Sequence, residues 1–137
     1  MSFRSSIKNL LTVSALLEAA TGVALIVAPA LPISLLIDVA LDTPERLVVA
    51  RVAGSALLAL GLACWLARDR GQSLAGRGVV AAMLLYYAAL AAVLFYAALA
   101  LKLSAIGLWP AVVLHGALAL WCVVCLRSMT KGTSIAR

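Results

Sequence analysis

The run NLLTVSALLEAATGVALIVA, Asn9 to Ala28, has the length that crosses the hydrocarbon core of a bilayer, about 20 residues, and Glu18 is its only charged residue. Pro29 and Pro32 follow it, and proline lacks the amide donor that helix continuation needs. Three more runs of the same kind lie downstream: Leu47 to Ala67, Gly78 to Leu101 and Trp109 to Leu126. Thr43, Pro44 and Glu45 announce the second, as a hydroxyl cap, a proline whose missing donor costs nothing there, and an acid at the positive helix end. Arg68, Asp69, Arg70 and Gly71 close it, and Trp109 with Pro110 opens the fourth at the depth where interfacial indoles sit.

Composition agrees. Of 137 residues, 66% are hydrophobic and 12% charged, where a soluble domain carries about 25% charged residues. Four spans consume about 80 residues and leave only loops and tails. The expected fold is therefore all-α: an integral membrane four-helix bundle forming a single membrane domain over residues 1–137. Arg4 and Lys8 before an apolar run also suggest a cleaved leader, but the run is long, carries Glu18, and is followed by further spans.

Basic residues set the expected orientation. Arg4, Lys8, Arg68, Arg70, Arg77, Arg127, Lys131 and Arg137 share one side, against Arg46 and Lys102 on the other. The positive-inside rule then places both termini in the cytoplasm of a bacterial inner membrane. Topology and anionic lipid account for most of the net charge of +6, and the scattered cations lack the aromatic platform of a nucleic-acid binder.

The first loop, Pro29 to Arg46, is the longest. Ile33, Leu36, Ile37, Ala40 and Leu41 recur there at helical spacing, while Ser34, Asp38 and Asp42 lie four apart on another face. This spacing predicts a short amphipathic helix on the outer surface, either a lid over the first two spans or a substrate gate. Within the spans, small residues at spacing four form stripes: Ala50 with Gly54, then Ser55, Ala59 and Ala63, and Ala88 with Ala92. Such stripes let backbones approach, inside one bundle or across a homodimer or partner-subunit face.

Ionisable groups at membrane depth are costly and are read first as functional. Glu18 shares a small polar face with Ser14, Thr21 and Gly22; Arg51 lies about one turn into the second span. The pair reads as a structural ion pair, as a ligand or proton site, or as a headgroup contact. His115 stands on a stripe with Ala111, Ala119 and Cys122, and Tyr86, Tyr87 and Tyr96 run along the third span. Glu18, Arg51, His115, Tyr86 and Tyr96 are therefore expected to form a polar site in the outer half of the bundle, offering an exchangeable acid, a cation, an imidazole and phenols to a small amphipathic ligand. For His115 and the tyrosines the plainer reading is helix packing with satisfied hydrogen bonds.

Cys122 and Cys125 form a C-x-x-C with Cys64 at similar depth, but thiols inside apolar helices behave mainly as small core residues. No phosphate loop, nucleophile elbow or metalloprotease motif is present, and Glu18 has no second intramembrane acid. No catalytic residue, cofactor or metal is expected, and the reading is of a non-enzymatic binding or accessory protein.

Arg51-Val52-Ala53-Gly54, followed by Leu57, Leu58, Leu60 and Gly61, resembles the arginine-glycine opening of the DoxX-like four-helix membrane proteins. That resemblance implies a small inner-membrane protein linked to redox or respiratory partners. Leu17-Glu18-Ala19-Ala20-Thr21-Gly22 resembles the first helix of the small multidrug resistance transporters, which implies a proton-coupled role for Glu18. The long first loop and one-sided charge bias depart from the latter pattern.

Overall fold

The computed structural model describes residues 3–37 and 40–134, with side chains described over 5–37 and 40–129. Asp38 and Arg137, and the side chains of Arg4 and Lys131, lie outside the described residues. Among the described residues the fold has five helices, α1 (Phe3–Val27), α2 (Ala30–Ile37), α3 (Pro44–Ala67), α4 (Leu74–Leu99) and α5 (Leu108–Ser134), and one 3-10 turn at Arg68–Arg70. By length and composition α1, α3, α4 and α5 are each able to cross a membrane, as in a multi-pass membrane protein.

Local chemistry explains the boundaries. Thr43 caps α3, its hydroxyl accepting from the Arg46 amide at 3.4 Å, with Pro44 and Glu45 in the first turn as expected. Ser73 caps α4 through the Gly76 amide at 3.0 Å, so this helix begins at Leu74 rather than near Gly78. At its far end Lys102 takes a left-handed backbone, φ 54°, which turns the chain towards α5. Nothing at Leu126 halts α5, which continues through Arg127 to Ser134.

The short helix expected in the first loop is present as α2. It is briefer than the spacing predicted, since Ala40 and Leu41 lie beyond it. Pro32 fits because it stands in the first turn, where amides have no helical partner anyway. The Leu35 carbonyl accepts a hydrogen bond from the Gly107 amide at 2.9 Å, tying α2 to the α4–α5 loop. Against α2, a cavity of about 450 Å³ opens where the C-terminal end of α1 meets the N-terminal end of α3, lined by Leu25, Ile33, Ile37, Glu45, Arg46 and Val49.

The bundle consists of two tight pairs. α1 packs along α3, and α4 along α5, while α1 meets α5 and α3 meets α4 over shorter seams. The α1–α3 seam is made by glycine: a Cβ on Gly22 would lie 2.7 Å from the Gly54 carbonyl, one on Gly54 as close to the Gly22 carbonyl, and one on Gly61 3.0 Å from the Ala15 carbonyl. Other small-residue stripes point elsewhere, for Ser55, Ala59, Ala88 and Ala92 are exposed. The main core, with Ile7, Leu10, Leu11, Val80, Met83, Tyr87 and all three cysteines, fills the half of the bundle nearest the α3–α4 turn. A smaller cluster of Leu94, Ala105 and Leu108 closes the opposite end.

Candidate functional site

Glu18 is on the buried face of α1, in the middle of the helix, and only 2% of it is exposed. Its Oε2 accepts a hydrogen bond from the Tyr86 hydroxyl of α4 at 3.1 Å. Its Oε1 makes no hydrogen bond of ideal geometry. One turn along α1 is the fully buried Ser14 hydroxyl, and the fully buried Tyr87 hydroxyl faces both. Tyr87 interacts with Ser14 and with Glu18 as a looser hydrogen-bonding partner, so the three oxygens form one buried polar cluster. Buried polar groups are nearly always satisfied, and here the members of the cluster answer one another.

α1 supplies Ser14 and Glu18 because residues four apart share a helix face. The opposing tyrosines are consecutive on α4, so they leave the helix about 100° apart. Tyr87 enters the core, while Tyr86 is only half-buried and reaches Glu18 from the flank. On that flank Tyr86 also lines an apolar groove of about 410 Å³ with Ala82, Leu85, Ala89, Leu90 and Val93. One phenol thus connects the buried carboxyl to a surface that faces outward from the bundle.

His115 joins the site at its edge. Its ring centroid lies 5.7 Å from that of Tyr87, and the Tyr86 and Tyr87 rings are 5.3 Å apart. His115 Nδ1 is 2.6 Å from the Ala111 carbonyl of its own helix. A carbonyl only accepts, so Nδ1 carries the proton in this contact and Nε2 is left as the acceptor nitrogen.

Two expected members are elsewhere. Arg51 is exposed on α3 and makes no ion pair with Glu18; among the described residues no cation approaches that carboxyl. The reason is geometric: the face of α3 turned to α1 belongs to Ala50, Gly54 and Gly61, and Arg51 is one residue round from it. Tyr96 is 61% exposed, three turns beyond the site on the outer part of α4. The site also lies against the main core in the middle of the bundle rather than in its outer half, since Glu18 faces Tyr86 and Tyr87 near the centre of α4.

Sequence reasoning placed Ser14 beside Glu18 but passed over Cys64 as a neighbour. Its only signal was depth, which the α1–α3 register makes decisive: Gly61 sits against Ala15 and Ala19, carrying Cys64 to the level of Ser14. All three thiols are buried. Among the described residues no group of three or more His, Cys, Asp or Glu side chains is placed to hold a metal ion. Trp121 donates to the Ser6 hydroxyl at 3.1 Å and joins α5 to α1. Compared with known protein families, curated proteins and solved structures, the chain matches none.

Proposed function

We propose that this is a small, non-enzymatic binding or accessory protein of a bacterial inner membrane, with both termini in the cytoplasm and Glu18 as its binding group. The observation that carries the reading is the buried Glu18 carboxyl, bonded by Tyr86 and clustered with the Tyr87 and Ser14 hydroxyls, with no cation against it among the described residues. A small amphipathic ligand with a donor-bearing head would bond that carboxyl in place of a hydroxyl of the cluster. Orientation is supported by Lys8, Arg68, Arg70 and Arg77, which gather at one end, with Arg46 and Lys102 at the other. Native mass spectrometry of gently extracted protein tests the reading. A discrete non-lipid mass, lost in Glu18→Gln, is the expected result. Protein carrying ordinary lipid alone would reject a ligand and leave contact with a partner subunit or a second copy, which crosslinking would detect.

A second reading, proton-coupled transport of a small molecule, draws on Tyr86, which both bonds Glu18 and lines the outward-facing groove. Liposomes under a pH gradient decide it: flux that disappears in Glu18→Gln supports transport, and wild-type liposomes without proton-linked flux of any candidate substrate exclude it.

A further inference from the structure

We propose that the turn between α3 and α4 is a binding site for the phosphate of an anionic lipid headgroup. The turn folds back on α1 and leaves a concave space of about 270 Å³ lined by Ile7, Arg68, Asp69, Arg70, Gln72 and Ser73. It joins two membrane-length helices, so it sits at headgroup depth by construction. Its charges are unbalanced. Asp69 is shared by Lys8, at 2.7 Å, and by Arg68 Nε, at 3.3 Å, so one carboxylate answers two cations. Arg70, on the same wall, is exposed and has no ion-pair partner among the described residues.

Arg68 is held ready for an anion. Its guanidinium stacks on the Trp65 indole, 3.3 Å from the ring centroid, while its Nη1 is buried and lacks a hydrogen-bond partner. A stacked guanidinium with an unused N–H presents a fixed donor to phosphate oxygen, and a partly exposed Trp beside it is the residue type that anchors at the headgroup level. The turn is tightly packed: a Cβ on Gly71 would run into the Ile7 side chain, and one on Gly76 into the Arg70 carbonyl. Ser73 further braces the turn by donating to the Arg70 carbonyl at 2.7 Å. The site is independent of Glu18, which lies deeper in the bundle.

The test is lipid retention on native mass spectrometry, with phosphatidylglycerol and phosphatidylcholine of matched chains added separately to the detergent-solubilised protein. Wild type should retain phosphatidylglycerol in clear preference. Arg70→Gln should lower that retention about fivefold, the weight of one cation near an anionic headgroup. Arg70→Lys should largely keep it, and Lys102→Gln at the far end and Glu18→Gln should leave it unchanged. Equal retention of the two lipids by wild type, or undiminished retention by Arg70→Gln, would overturn the proposal. Displacement of the lipid by millimolar inorganic phosphate would overturn it too, and would assign the pocket to a soluble phosphate.

Discussion

α1 meets α3 and α4 in opposite ways. Against α3 it offers glycine, and the two backbones approach until no side chain fits between Gly22 and Gly54. Towards α4 there is little close backbone approach, and Glu18 crosses the gap to Tyr86 with a single hydrogen bond. In lipid the hydrophobic effect does not draw helices together, so the first seam holds by van der Waals packing and the second by polar contact and bulky side chains. The lesson is a division of labour along one helix. A glycine seam brings backbone against backbone and serves as a strut, whereas the wider seam is bridged by side chains and therefore holds the polar chemistry.

The largest test breaks the glycine seam. Gly54→Val drives a branched side chain into the Gly22 carbonyl and Leu25, and should cost about 3 kcal/mol, read as the midpoint of unfolding in mixed micelles. Gly116→Ala is the control: nothing lies within 4 Å of its Cβ position, and the better helix former should be neutral or stabilising by less than about 1 kcal/mol. Equal tolerance of both changes would mean that the α1–α3 contact does not hold the bundle. Loss of self-association in Gly116→Ala would instead reveal a second copy on α5.

A smaller effect belongs to the wide seam. Tyr86→Phe removes the hydroxyl that holds Oε2 and should cost about 1 kcal/mol, within the range of interhelical hydrogen bonds in membranes. The infrared carboxyl stretch of Glu18 should move with it, which a packing defect alone would not cause. An unmoved stretch would show that the phenol and the carboxyl do not meet.

The smallest concerns Arg51. Since it is exposed and apart from Glu18, the losses in Glu18→Ala and Arg51→Ala should sum in the double variant to within about 0.5 kcal/mol. A coupling well above that, measured by the same unfolding assay, would mean that the guanidinium turns inward and that the wide seam contains an ion pair.

The residues that were legible are those whose role is local. Thr43, Pro44 and Glu45 start α3 where expected because a cap needs only its own next turn. Ser73 is as good a cap, but the apolar run after it begins only at Gly78, because Arg77 interrupts the apolar pattern of the first turn of α4. Glu18 was singled out correctly as buried, for the cost of charge in a membrane does not depend on which helix lies opposite. Arg51 looked equivalent by that same criterion and was not, because a cation near a helix end can stay outward where an acid at mid-span has no such exit.

What the sequence by itself determined is the solvent of the chain: four long apolar helices, the start of α3 and the inward turn of Glu18, all consequences of keeping backbone and charge out of hydrocarbon. Only the tertiary structure decided which small residues meet. Gly22 with Gly54 and Gly61 with Ala15 form the seam, while the equally plausible Ser55, Ala59, Ala88 and Ala92 face outward. Small residues permit approach on any face, and the choice among faces depends on how four helices fill one volume together. That same choice set Tyr86 rather than Arg51 against Glu18, and gathered the Glu18 carboxyl with the Ser14 and Tyr87 hydroxyls at the centre of the bundle.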